Sequence, residues 1–181
     1  MVLVFLANGF EEIEALTPVD CLRRCEIDVK TVGVGNRVVT GSHGIKVVAD
    51  LDDLEISLSD DIEMIILPGG MPGTLNLEKS EIVQNAIDFC TDRNIPIAAI
   101  CAAPSILGHK GLLQGKRATC YIGFEDQLTG ADVITDTPCV TDGSIITACG
   151  MGAALEFSCE IIKKLISAER AEVLLKALNK K

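Results

Sequence analysis

Three observations predict an α/β sandwich around a mainly parallel sheet. Apolar runs of strand length alternate with segments of helical period. Hydrophobic residues make up 48% of the 181 residues while aromatics supply only 3%, so the core is Ile, Leu, Val and Ala, as in a buried parallel sheet. No linker or repeat interrupts the chain, and its length suits one core, so residues 1–181 read as a single domain.

The elements follow in order. Val2 to Ala7 is strand one, and Glu11 to Cys25 is a helix expected to bend or break at Pro18. Val29 to Val34 is strand two, followed by a hairpin from Arg37 to Val48. Met64 to Leu67 is a buried strand that ends in Pro68-Gly69-Gly70. Ile82, Val83, Ala86, Ile87 and Cys90 then recur at helical spacing behind Ser80 as N-cap. Ile97 to Ile100 is the next parallel strand, and a short helix reaches about Leu107. Short strands lie near Ala118 and Val133. A hairpin joins Cys139-Val140-Thr141 to Ile145-Ile146-Thr147 through Asp142-Gly143, and helices start near Met151 and Ala168.

Charge and composition exclude several function classes. Sixteen basic against 26 acidic residues leave a net charge of −10, which repels phosphate backbones and argues against a nucleic-acid partner. The run from Ile95 to Gly108 carries Pro96 and Pro104 and is shorter than the ~20 residues of a membrane span. The opening Val2-Leu3-Val4 has no basic flank, so no secretory leader and a cytoplasmic site are expected. The eight cysteines lie mostly in apolar segments, without a C-x-x-C pair, and read as reduced core thiols; neither they nor the two histidines have metal-ligand spacing, and no metal or cofactor is expected.

One cysteine stands apart. Cys101 closes an apolar strand where a small-residue helix begins, and unpaired helix amides there favour a thiolate. Open sheets bind ligands beyond the carboxyl ends of their strands, and Glu11-Glu12-Ile13-Glu14 and Gly69-Gly70 fall at two more such ends. The glycine pair either just turns the chain or, with the Ala102 amide, forms an oxyanion hole. Glu11, Glu12 and Glu14 are either a solvated first turn or supply one carboxyl group drawn into the cleft, and spacing does not choose among them. His43 is expected to be exposed. His109, eight residues beyond Cys101, would lie ~12 Å away along a helix, too far for a Cys-His dyad.

Taken together, G-F-E-E-I-E, L-P-G-G, A-A-I-C-A-A-P and T-D-G-S-I-I-T-A-C-G-M-G-A-A-L-E-F closely resemble the ThiJ/PfpI superfamily in its DJ-one-like branch, over nearly the whole chain. The resemblance implies a flavodoxin-like three-layer sandwich, a homodimer, an oxidation-sensitive nucleophile at Cys101, a protonated Glu14 hydrogen-bonded to it, and an oxyanion site at Gly69, Gly70 and Ala102. It also implies a stress-response role. Relatives are described as glutathione-independent glyoxalases, as deglycases of early glycation adducts, and as non-catalytic oxidative-stress sensors or chaperones. The substrates implied are small reactive aldehydes or glycated side chains.

The departures bear on mechanism. Ala102 stands where the protease-like branch has a histidine, and neither His43 nor His109 begins the H-x-E of a glutamine amidotransferase. A histidine found near the nucleophile of some relatives is replaced within Thr119-Cys120-Tyr121, leaving Glu14, an auxiliary Tyr121 or water to move protons. Helix residues Cys21, Leu22 and Cys25 are a candidate dimer face. Oxidation of Cys101 is expected to stop at the sulfinate, because no resolving cysteine is evident by spacing.

Overall fold

In the computed structural model, which describes residues 1–59 and 61–179, seven strands form one sheet. The elements are β1 (Val2–Leu6), α1 (Glu12–Arg24), β2 (Val29–Gly33), β3 (Val38–Thr40), β4 (Lys46–Val48), β5 (Leu51–Asp52), β6 (Met64–Leu67), α2 (Gly73–Lys79), α3 (Glu81–Asp92), β7 (Ile97–Ile100), α4 (Pro104–His109), β8 (Arg117–Ala118), β9 (Asp132–Val133), β10 (Cys139–Asp142), β11 (Ile145–Ala148), α5 (Ala154–Leu165) and α6 (Ala168–Ala177). The sheet order is β10-β11-β7-β6-β1-β2-β5, parallel throughout except where β10 returns against β11. Every residue of β1, β6, β7 and β11 is buried, which is why these strands are unbroken apolar runs rather than alternating ones.

Helices α1, α5 and α6 cover one face, where Ala15, Val19, Phe157, Ile161 and Leu174 meet Val4, Ile66 and Ile100. The opposite face receives Leu77 of α2, Val83 and Ile87 of α3, and Ile106 and Leu107 of α4, against Phe5, Ile65 and Ala99. This is the flavodoxin-like sandwich expected from the sequence. The β3–β4 hairpin and the β8–β9 pair are separate two-stranded ribbons.

Three local differences have physical reasons. Helix α1 runs unbroken through Pro18, which lies buried with Ala15, Val19 and Leu22; burial of this face outweighs the one hydrogen bond that Pro18 removes. Ser80 occupies the N-cap position of α3, but its side chain makes no capping bond. Cys21, Leu22 and Cys25 are 2%, 0% and 5% exposed and pack the protomer's own core, so they offer no exposed face of their own.

Candidate functional site

The β1–α1 turn, the β6–α2 turn and the end of β7 converge at one edge of the sheet, and the site is built from those three strand ends. Cys101 follows β7 directly with φ +66°, in the left-handed region that costs a non-glycine residue about 1–2 kcal/mol. Backbone bonds hold that conformation. The Cys101 amide donates to the Ala148 carbonyl at 2.9 Å and its carbonyl accepts from the Tyr121 amide at 2.8 Å. Helix α4 begins only at Pro104, so Cys101 is not in a first helical turn, and the positive field comes instead from individual amides. Those of Gly70 and Ala102 donate to its sulfur.

Of the three acidic residues, Glu14 enters the site. It is fully buried on α1, and its carboxyl group shares a hydrogen bond with Cys101 and accepts the Gly69 amide through Oε2 at 3.0 Å. Oε1 is buried and has no hydrogen-bond partner among the described residues. Desolvation therefore raises the Glu14 pKa to about 7, with the hydrogen bond from Cys101 opposing and the Glu11 charge adding to the rise. Burial also pushes the Cys101 thiol well up, and the Glu14 carboxylate beside it reinforces this, while the Gly70 and Ala102 amides pull the other way. Glu14 and Cys101 are thus a hydrogen-bonded, electrostatically coupled pair.

The glycines divide the work. A Cβ on Gly69 would lie 2.6 Å from the Cys101 Cβ and 2.7 Å from Glu14 Oε2, so only glycine lets the carboxyl group and the thiol meet there. Because its amide is bound to Glu14, Gly69 positions the acid, which leaves Gly70 and Ala102 facing the sulfur. Gly70 itself has φ +90°.

Glu11 and Glu12 have other tasks. Glu11 caps α1, its Oε2 accepting the Glu14 amide at 2.8 Å. Glu12 reaches into the β3–β4 turn and accepts the His43 amide at 2.9 Å, with His43 Nδ1 at 3.0 Å and Ser42 Oγ at 3.3 Å. Burial works against ionisation of Glu12, but these bonds outweigh it and hold its pKa at about 2. His43 has an exposed ring, as expected, and the bond to Glu12 raises its pKa. The ligating atoms of Glu11, Glu12 and His43 lie within 4.8 Å of one another, but the carboxylates are already occupied as cap and clamp. His109 is turned to Glu78, away from Cys101.

Tyr121 is 40% exposed, and a Cβ built on Gly150 would come 3.1 Å from its ring. The Gly150-Met151 turn behind Glu14 was not singled out as part of the site; the G-M-G run was its only signal. A cavity of about 290 Å³ lined by Glu11, Glu12, Ile13, His43, Ile45 and Met151 opens beside this region.

A sheet whose strand ends assemble a strained cysteine, two facing amides and a buried acid defines a class of flavodoxin-like cysteine proteins. Residues 1–164 match the DJ-1/PfpI family, and the chain belongs to that family. It is 38% identical to Protein DJ-1 homologs B and A of Arabidopsis thaliana over 94% of its own length, and spans 39% and 44% of theirs. It is 33% identical to "Deglycase PfpI" of Pyrococcus furiosus, covering 91% of this chain and 99% of that protein. A crystal structure of a DJ-1 superfamily protein from Salmonella typhimurium superposes with a TM-score of 0.93 at 30% identity, over 99% of this chain and 98% of that one. No helix among the described residues is long and apolar enough to cross a membrane.

Proposed function

We propose that this chain is a cysteine-dependent enzyme of carbonyl stress, a glutathione-independent glyoxalase or a deglycase of early glycation adducts. The observation that carries the reading is the buried Glu14 carboxyl group, with its pKa near 7, hydrogen-bonded to Cys101. An acid poised at neutrality can both accept and return a proton.

In this scheme the Cys101 proton passes to Glu14, and the thiolate adds to the aldehyde carbon of methylglyoxal. The carbonyl π electrons move to oxygen, where the Gly70 and Ala102 amides hold the alkoxide until it takes the Glu14 proton. The resulting hemithioacetal loses its C1 proton to Glu14, the adjacent ketone carbon regains one, and a thioester forms. Water then releases lactate and frees Cys101. A glycated side chain would enter at the same carbon, with its amine or thiol as leaving group. Tyr121, whose ring lies over Gly150, is read as an auxiliary hydrogen-bonding group.

The similarity to a protein named a deglycase supports the substrate class. The whole chain is read as one catalytic domain. A homodimer is part of the reading: α1 leaves Ile13 51% exposed beside an apolar groove of about 520 Å³ lined by Ile13, Leu16, Leu155 and Leu178.

The test is methylglyoxal consumption and lactate formation by the unaltered protein and by Cys101→Ser, with buffer-only controls. Loss of at least about a hundredfold in rate is expected, as for removal of a covalent nucleophile. Equal rates would remove the enzyme and leave the non-catalytic oxidative-stress sensor or redox-regulated chaperone acting through the same cysteine.

A further inference from the structure

Gly150 marks where Tyr121 and Glu14 come together. A Cβ built there would stand 3.1 Å from Cδ2 and 3.6 Å from Cε2 of the Tyr121 ring, and 3.8 Å from Glu14 Oε1. The phenol ring and the unpartnered carboxyl oxygen therefore border the same side-chain-free spot. Tyr121 is 40% exposed whereas Glu14 is fully buried, which sets the ring on the outer side of the acid.

Backbone bonds hold the ring in that place. The Tyr121 amide donates to the Cys101 carbonyl at 2.8 Å, and its own carbonyl accepts the Phe124 amide at 3.0 Å. Two residues earlier, the Thr119 amide donates to Thr147 Oγ1 at 2.9 Å and fastens the segment to β11. The position of the ring is thus tied to the backbone of the nucleophile. A buried carboxyl oxygen that accepts no hydrogen bond is tolerable in the neutral acid and costly in the carboxylate, so whatever covers it governs its charge state.

We propose that Tyr121 is a positioning residue: its ring, rather than its hydroxyl, shields the Glu14 carboxyl group from bulk water and so keeps that group able to hold the Cys101 proton. This rests on the reading of Glu14 and Cys101 as a proton-sharing pair. Water favours the charged form of a carboxyl group, so opening the shield returns Glu14 toward the ordinary glutamate range. The other groups that act on Glu14 are Cys101 at the end of β7, Glu11 on α1, the Gly69 amide beyond β6 and the Met151 amide beyond β11. None belongs to the Tyr121 segment, and a change confined to the Tyr121 side chain leaves each of them in the chain.

The experiment follows alkylation of Cys101 by iodoacetamide from pH 4 to 9, read by peptide mass spectrometry, in the unaltered protein, Tyr121→Phe, Tyr121→Ala and Tyr121→Gln. The plateau rate reports access to the sulfur, which a smaller side chain raises; the inflection reports the acid. The unaltered protein and Tyr121→Phe should share an inflection near 7. Tyr121→Ala and Tyr121→Gln, which open the shield in different ways, should lower it by at least about one pH unit. Circular dichroism of each variant controls for folding. An unmoved inflection in Tyr121→Ala and Tyr121→Gln overturns the shield and leaves the proton-sharing pair standing. A shift in Tyr121→Phe as large as that in Tyr121→Ala also overturns it, because the hydroxyl would then be the acting group. Absence of any inflection near 7 in the unaltered protein removes the proton-sharing pair and the shield with it.

Discussion

At Cys101 a left-handed backbone, two facing amides and a neutralisable carboxyl group act on one sulfur atom, and the chemistry depends on how the last of these titrates. On the proposed reading Glu14 and Cys101 share a proton within their hydrogen bond, so the pair loses its protons in two macroscopic steps. The first is set by the raised Glu14 pKa of about 7. That reading expects both groups to be protonated below it, and one proton to be shared above it so that a fixed fraction of molecules carries the thiolate with neutral Glu14. Alkylation of Cys101, followed by peptide mass spectrometry from pH 5 to 9, should therefore rise through an apparent pKa near 7 and level off. In Glu14→Gln that inflection should vanish, leaving a rate that keeps climbing with pH as a lone buried thiol ionises. Persistence of the same inflection in the variant would show that Glu14 does not share the proton.

Helix α1 is the element that builds the site, because its first turn spends three carboxylates in three ways. Glu11 caps, Glu12 clamps the β3–β4 turn, and Glu14 turns inward. The clamp has a built-in acid limit. Glu12 has its folded pKa depressed from 4.5 to about 2, so its contribution is complete above pH 4.5 and is lost as pH falls toward 2. Glu12→Ala should release the turn at any pH. Amide exchange at His43 and Ile45, both donors to Glu12, should accelerate at least tenfold at neutral pH while exchange in β6 and β7 is unchanged. Unchanged protection at His43 would mean that the hairpin holds itself.

The three roles of α1 also mark how far sequence reasoning reached. The start of α1, the buried strands and the alignment of Cys101 with Gly69-Gly70 were legible, because apolar runs and glycine turns are local signals. The choice of Glu14 came only from the family resemblance, since what distinguishes the glutamates lies far along the chain: the β3–β4 hairpin takes Glu12, while Gly69 and Cys101 take Glu14. The two-residue β5 and the α2 helix were missed. Leu51-Asp52 is too short for alternation to register, and α2 opens at Pro72-Gly73 without a capping side chain.

Over the whole molecule, the sheet order shows why those ends meet. The chain lays β2 and β5 to one side of β1 and then returns to place β6, β7 and β11 on the other, so the crossover directions reverse beside β1 and leave a crevice at its carboxyl end. Glu14 on α1 closes one wall of that crevice, and the same helix turns its remaining apolar side outward. Ile13, one residue before Glu14, is half exposed over the groove formed with Leu16, Leu155 and Leu178. A chain with a net charge of −10 gains little from electrostatic attraction between copies, so the proposed self-association would rest on apolar contact of this sort. A standard interface buries about 800 Å² per partner, and a charge placed in its centre is strongly destabilising. Light scattering at micromolar concentration should therefore give twice the chain mass for the unaltered protein and the single-chain mass for Ile13→Asp, with the same circular dichroism. Because Ile13 adjoins Glu14, the variant should also alter the rate of Cys101 alkylation if assembly steadies the start of α1. A particle of single-chain mass for the unaltered protein would show that the groove is not a self-association surface.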